Sequence, residues 1–456
     1  MLFSFIITRY LEAFFYSIML NKNLPREEQK ETSYSQPFRY RNRPLFLSSG
    51  FKLIHVMPFF GDYMDERRLL TIPGPTIFDP SVLRSLSVGH LGHTSENFIR
   101  IFSEVLGNLR ELLYADENYR PVVLAGSGTL AMEAGTSNFI KKDDNVLVVS
   151  NGVFGDRMVE LLNKYPINVD ALRVKEPGEV VDSNAVAEKL DQKEYGLVTV
   201  THVDTSTAVR QDLVQVGRIV RKHDALLVVD GVCSVAGEEI RMKDWGIDVV
   251  LTGSQKALGV PAGLAILWLS PKALDRLSET KGKYSPYYMD LTKWIGIMES
   301  YEKLKAAYFA TPAVNLIIGL HRSLELMFEE GIENRFRRHK NLSKAFRSGI
   351  QQLGLRLVAK SEDIAASTVT AAYLPENVEL GEFRKEMLAR NVVVAGGLYP
   401  SIKSNYFRVG HMGPINANDI VSVVAAIERS LKKLGYEVKP GDGVTATQRV
   451  LSDFNL

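Results

Sequence analysis

One cysteine, Cys233, stands among 456 residues. A lone cysteine forms no disulfide within the chain and no multi-cysteine metal site. Its scarcity fits a reducing compartment. The eight histidines are scattered, without the close spacing of metal ligands, and no metal is expected. Charge of one sign is missing too: 55 basic against 53 acidic residues leave a net +2. Nothing in that balance calls for nucleic acid or an anionic membrane as a partner. A long clean apolar run is also absent. Residues 1–20 are strongly apolar, yet Arg9 and Glu12 interrupt them, and a spanning helix needs about 20 apolar residues. No positive segment precedes that run, which argues against a secretory signal. Neither nucleic-acid binding nor stable membrane insertion is therefore expected. The phosphate-binding pattern GxxxxGK[ST] does not occur, which excludes a P-loop nucleotide enzyme.

What is present is ordinary for a soluble protein: 45% apolar and 24% charged residues. A chain of this length predicts two or three domains. Residues 1–66 read as an N-terminal extension, either disordered or targeting. Residues 37–52, PFRYRNRPLFLSSGFK, carry basic residues and serine without an acid. That resembles part of a mitochondrial transit peptide, whereas Glu27, Glu28 and Glu31 oppose the reading. A mitochondrial or cytoplasmic location is expected.

From about residue 120, short apolar runs alternate with amphipathic stretches. VVLAG (122–126), VLVVS (146–150), LVTVTHV (197–203), ALLVVDGV (225–232), DVVLTGS (248–254) and GLAILWLS (263–270) read as strands. Runs apolar on both parities are buried on both faces, as in a largely parallel sheet covered by helices. Helices are predicted near 156–164 and 211–223. The pattern implies an α/β doubly wound large domain over 67–312. Beyond it, a helical stretch over roughly 313–352, three strand-like runs and a helix near 418–434 predict a smaller α+β domain over 313–436. The polar tail, 437–456, reads as peripheral.

Ligands of open α/β sheets sit beyond the carboxyl ends of the strands. The residues at those ends are Ser127-Gly128-Thr129, Asn151 to Phe154, His202 to Thr205, Asp230 and Ser254-Gln255-Lys256. Lys256 is placed to form a Schiff base with an aldehyde, helped by desolvation that lowers its pKa. Alone it reads as a solvated surface lysine; the residues around it change that. Asp230 at the end of LLVVD would keep a pyridine nitrogen protonated, or would simply cap the next turn. Ser127, Gly128 and Thr129 open a helix after a strand and make an anion site, though a plain N-cap accounts for them as well. GSGTLA nearly matches a dinucleotide fingerprint, but the next strand ends in Ser150 and Asn151 rather than an acid. Phe154 offers a flat face for a cofactor ring, or is a packed loop aromatic. Arg408 in YFRVGHMG suits a substrate carboxylate, or makes a surface ion pair. His411 reads as structural; His202 stays open.

Together these stretches resemble the class V aminotransferases of pyridoxal-phosphate (PLP) fold type I. Within that class they resemble the alanine–glyoxylate and serine–pyruvate enzymes, and the fungal alanine–glyoxylate ones in particular. The resemblance covers about residues 69–436. It rests on LLTIPGPT (69–76), LGHTSENF (91–98), LAGSGTLAMEAGTSNFI (124–140), VTVTHVDTSTAV (198–209), VVDGVCS (228–234), TGSQKALGVPAGL (252–264), YFATP (308–312) and YFRVGHMG (406–413). It implies PLP held covalently by Lys256, which also shuttles the proton at the substrate Cα. It implies Asp230 on the ring nitrogen, Ser127, Gly128, Thr129 and Gln255 on the phosphate, Thr205 on the ring hydroxyl side and Phe154 against the ring. Animal relatives carry tryptophan where this chain has Phe154. The resemblance further implies a homodimer, in which Tyr308 and Thr311 reach the neighbouring subunit's phosphate. Arg408 would hold the substrate carboxylate, and the loop Pro73-Gly74-Pro75 would approach the substrate.

The implied reaction is L-alanine with glyoxylate giving pyruvate and glycine, by a ping-pong mechanism; a serine donor remains open. A PLP lyase that works through a cysteine fits poorly, since Cys233 lies three residues after Asp230 rather than on a mobile substrate loop. A nicotinamide dehydrogenase built on GSGTLA would show no yellow cofactor.

Overall fold

The computed structural model describes residues 68–454, except 88 and 90. The expected extension over 1–66 lies outside the described residues.

Seven strands form the central sheet: β1 (Arg120–Ala125), β2 (Asn145–Ser150), β3 (Asn168–Arg173), β4 (Leu197–Thr201), β5 (Leu226–Asp230), β6 (Val249–Gly253) and β7 (Leu264–Leu269). Their order is β1-β7-β6-β5-β4-β2-β3. β7 runs antiparallel to both its neighbours, and every other pair is parallel. Two reversals restore direction, so β1 points the same way as β6. The carboxyl ends of β1, β2, β4, β5 and β6 therefore share one edge. The sequence explains the placement. β4 to β7 are buried at every position and read as predominantly apolar runs without alternation. β3, NVDALR, alternates and lies half exposed at the sheet edge.

The crossovers between parallel strands carry helices. Gly128–Ser137 follows β1, Val153–Leu162 follows β2, Ser183–Gln192 follows β3 and Leu213–Val220 follows β4. The helix expected at 156–164 thus begins at Val153, which brings Phe154 into its first turn. Past residue 312, the helix Val314–Glu330 still places Ile317, Leu320, Leu324 and Met327 in the core around this sheet.

A second core gathers Leu342, Phe346, Phe383, Phe407, Val423 and Ile427. Around it stand the helices Ile332–Gln352 and Ala417–Lys433 and an antiparallel sheet of Val369–Tyr373, Tyr406–Gly410 and Ala395–Gly396. The helical stretch expected over 313–352 is two helices, divided at Gly331, whose φ of +83° is open to glycine and costly for other residues. The tail forms a helix, Asp442–Asp453, which buries Gly443, Thr447 and Leu451. Those positions recur at helical spacing, but two of the three are not apolar, so the sequence reads as peripheral. Among the described residues no helix is long and apolar enough to cross a membrane.

Candidate active site

The shared strand edge builds an anion cradle first. Ser127 precedes the helix Gly128–Ser137 in an extended conformation, and its side chain does not cap that helix. The first N–H groups of any helix lack intrahelical partners and sit at the positive end of its dipole. Here they lie against the β6 loop: a Cβ on Gly253 would stand 2.9 Å from Gln255 Oε1 and 3.0 Å from the Gly128 nitrogen. Gln255 Oε1 is buried and has no partner among the described residues. Gly128 must be small, since a Cβ there would come within 2.9 Å of Val232 Cγ2. Ser127 and Thr129 remain exposed beside this cradle. The arrangement fits a phosphate group bound at a helix start.

Lys256 follows directly. It is buried, and its Nζ donates to the Pro73 carbonyl oxygen. The loop Pro73-Gly74-Pro75 covers its alkyl chain: a Cβ on Gly74 would lie 2.6 Å from Lys256 Cδ. Gly74 also has φ +121°, which excludes most side chains. Thr76 fastens the loop, with its N–H 3.1 Å from Gln255 O and its Oγ1 3.2 Å from Lys256 O. Burial lowers the Lys256 pKa; Arg408 pushes the same way, while Cys233 and Asp230 oppose it. A lowered pKa raises the share of nucleophilic amine.

Asp230 ends β5, wholly buried, and its Oδ1 accepts from the Val232 N–H at 3.0 Å. Burial is the largest influence on it and raises its pKa to about 6, with Asp204 adding to the rise. A buried carboxylate without a cation in contact is costly. A protonated ring nitrogen placed there would relieve that cost, which is the role expected of Asp230 toward PLP.

Phe154, half-buried, has the Arg157 guanidinium 4.6 Å from its ring centroid. Its backbone N–H donates to Asp204 Oδ2 at 3.0 Å. Thr205 is buried. Its carbonyl accepts from Arg408 Nη1 at 3.0 Å, and the Gly396 carbonyl accepts from Arg408 Nε at 2.8 Å. Arg408 is thus buried with its fork fixed by two carbonyls, and Nη2 remains to meet a carboxylate. That geometry replaces the alternative of a surface ion pair.

Two expected residues lie apart from this cluster. Tyr308 and Thr311 are exposed, and the Tyr308 ring packs 5.5 Å from the His93 ring. His411 is bonded at both nitrogens, to Ser367 O (2.9 Å) and Thr370 Oγ1 (2.8 Å), as a structural histidine should be. His202 is buried, and burial lowers its pKa to about 3. Cys233 is buried, 3.8 Å from Thr368 Oγ1. A surface cavity of about 660 Å³, lined by Gly107, Arg110, Tyr114, Phe328 and Asn334, includes none of these residues.

The sequence left two supporting residues unremarked. Arg335 comes from the charge-rich stretch EEGIENRFRRHK. It is buried and donates to Ala236 O (2.9 Å) and Ala257 O (2.8 Å), joining the loops after β5 and β6. Asp204 carries a local signal, since Asp-x-Ser is a turn pattern in which the carboxylate accepts from the N–H two residues on.

The family description "Aminotransferase class-V" matches residues 83–404. The alanine–glyoxylate aminotransferase 1 of Saccharomyces cerevisiae is 42% identical over 361 residues, 76% of this chain and 93% of that protein. A serine–glyoxylate aminotransferase of Arabidopsis thaliana is 31% identical, across 86% of this chain and 97% of its own length. The crystal structure of an alanine–glyoxylate aminotransferase from Nostoc sp. superposes with a TM-score of 0.76 at 29% identity, covering 84% of this chain and 98% of that one. A buried lysine and carboxylate beside an anion cradle, on a fold shared with these enzymes, place this chain among the class V aminotransferases, PLP-dependent enzymes that transfer amino groups.

Proposed function

We propose that this aminotransferase moves the amino group of L-alanine to glyoxylate, giving pyruvate and glycine in two half-reactions. The observation that carries the reading is the fixed guanidinium of Arg408 beside a buried lysine. One cation suits substrates with one carboxylate, as alanine and glyoxylate both are. The 42% identity to the yeast alanine–glyoxylate enzyme supports alanine as donor. The 31% identity to a serine–glyoxylate enzyme keeps serine as the second reading.

PLP supplies an electron sink for the substrate Cα and carries nitrogen between the halves. The chain's residues do the rest. The helix start at Gly128, with Ser127, Thr129 and Gln255, holds the phosphate. Phe154 would stack against the ring, and Thr205 would hold its hydroxyl side. Asp230 keeps the ring nitrogen protonated. Lys256 would anchor the cofactor, then take and return the proton at the substrate Cα as an amine whose pKa burial lowers. Arg408 fixes the carboxylate, and the loop around Gly74 closes over the lysine and limits water. The chain acts as a homodimer in which Tyr308 and Thr311 serve the partner's phosphate. In support, Tyr308 is 65% exposed, with Tyr287 (74%) and Leu304 (62%) as further exposed apolar side chains.

The test is a donor panel of alanine, serine and aspartate at saturating glyoxylate, each read as kcat/KM. Alanine highest is the expected result. Serine highest would transfer the assignment to the second reading, and no glyoxylate-dependent product from any donor would overturn both.

A further inference from the structure

Asp204 is a buried carboxylate with no place in the chemistry described above. It lies in a two-residue strand just past β4 and is wholly shielded from solvent. Both its oxygens are used. Oδ2 accepts from the N–H groups of Phe154 (3.0 Å) and Gly155 (3.3 Å), at the start of the helix Val153–Leu162. Oδ1 accepts from the Ser206 N–H (2.9 Å) and the Ser206 hydroxyl (2.5 Å). The Ser206 Oγ in turn accepts from the Val153 N–H at 3.1 Å. Gly152 is a glycine by necessity: a Cβ there would lie 2.6 Å from Asp204 Cγ and 2.5 Å from Ser206 Oγ. Its φ of 171° is ordinary extended backbone, so closeness to Asp204, not backbone strain, excludes a side chain.

The residues on either side of this carboxylate belong to opposite ends of the site. Phe154 is the stacking residue. Thr205 gives its carbonyl to Arg408 Nη1 at 3.0 Å, and Ser206 gives its carbonyl to Tyr406 Oη at 2.6 Å. The Tyr406 oxygen accepts from the Leu398 and Tyr399 N–H groups (2.8 and 2.9 Å), next to Gly396, whose carbonyl holds Arg408 Nε. One carboxylate thus ties the helix that carries the cofactor's stacking face to the backbone that aims the substrate's guanidinium.

We propose that Asp204 is a positioning residue for transamination: it locks the Phe154 helix start and the Thr205–Ser206 turn into one unit, so that ring stacking and the Arg408 fork keep a fixed relation. The proposal rests on the roles given above to Phe154 and Arg408. A negative charge suits the position because an anion at a helix start is favoured by the dipole. Charge-assisted bonds are also the strong ones. Placement to within about half an ångström is what such a supporting residue supplies to a site.

Two variants separate the two arms. Asp204→Ala removes all four acceptor contacts. Asp204→Asn keeps one carbonyl-type oxygen for Phe154 and Gly155 and turns its amide toward Ser206, whose hydroxyl can rotate to accept. Three quantities are read beside the wild-type protein: exchange of the Phe154 and Gly155 amides in the cofactor-free protein, the PLP dissociation constant, and the amino-donor KM and kcat at saturating PLP. Asp204→Ala should expose both amides to faster exchange, weaken PLP binding on the order of 10²-fold and raise the donor KM roughly tenfold. Asp204→Asn should keep PLP binding within about threefold and still raise the donor KM several-fold. The asparagine variant carries the test if the alanine variant does not fold. Wild-type amide exchange, PLP affinity and KM in a folded variant would overturn the proposal. A KM rise that vanishes at saturating PLP would overturn it too, leaving Asp204 as a fold residue. Should the wild-type enzyme reject alanine and glyoxylate, the donor assignment fails, while amide exchange and PLP affinity still decide the role of Asp204.

Discussion

Replacing Arg408 by lysine keeps the charge and removes the fork. The guanidinium spends Nε on the Gly396 carbonyl and Nη1 on the Thr205 carbonyl, which leaves Nη2 for the substrate. A lysine ammonium is a single point on a flexible stem and cannot reach all three acceptors at once. A hydrogen bond to a charged group contributes about 1.5–3 kcal/mol. Losing one such bond to the carboxylate and slackening its aim should raise the barrier by about 3–4 kcal/mol, roughly 10²–10³-fold in kcat/KM. The deficit should appear mainly in KM and be similar for alanine and glyoxylate, because both present one carboxylate to the same group. A slow amine donor without a carboxylate should lose little. Steady-state kinetics of Arg408→Lys with alanine, glyoxylate and such an amine is the assay. Unchanged kcat/KM for both carboxylate substrates, or an equal loss with the amine, would refute the reasoning.

Lys256→Ala should still take up PLP weakly but lose transamination, checked by cofactor titration and turnover; retained turnover would remove Lys256 as the proton carrier. Asp230 tests the sign of a buried charge. Its folded pKa, about 6, lies above the ordinary value of 3.8. Its contribution to stability is therefore fully present below about pH 4 and is lost as pH rises through 6. Cofactor-free Asp230→Asn should be more stable than cofactor-free wild type at pH 8, by on the order of 2–3 kcal/mol, and so melt higher. That advantage should disappear near pH 4, and calorimetry of the two apo proteins across this range is the check. The same variant should bind PLP and turn over poorly. Sedimentation of the holoenzyme should give a dimer, and Tyr308→Phe should weaken PLP binding without changing the donor preference; a monomer with full cofactor affinity would contradict the shared site.

The strand edge was legible because its strands are apolar on both parities, so the residues ending each run stand out without a structure. Lys256, Asp230 and the Gly128 helix start are all such end residues. The helix bearing Phe154 starts three residues before the position its sequence suggests, since Val153, Phe154 and Gly155 carry no capping side chain. Their caps come from Asp204 and Ser206, some fifty positions away in sequence. Long-range partners of this kind leave no local periodicity to read. Arg335 was hidden for a related reason: a buried arginine that serves two carbonyls looks, in sequence, like its solvated neighbours Arg337 and Lys340. The tail helix stayed unread because Gly443 and Thr447 fill a tight contact by being small rather than apolar. Gly349 makes the same fit from the opposing helix, where a Cβ would meet Thr447 Oγ1 at 2.2 Å.

An absorbance spectrum of the purified holoenzyme tests most directly whether Lys256 holds PLP and whether alanine and glyoxylate are the substrates. A near-visible cofactor band should fade on adding L-alanine and return on adding glyoxylate, with neither change in Lys256→Ala. A band unmoved by alanine yet bleached by serine would contradict the donor, and a protein that shows no band even after added PLP would contradict the account as a whole.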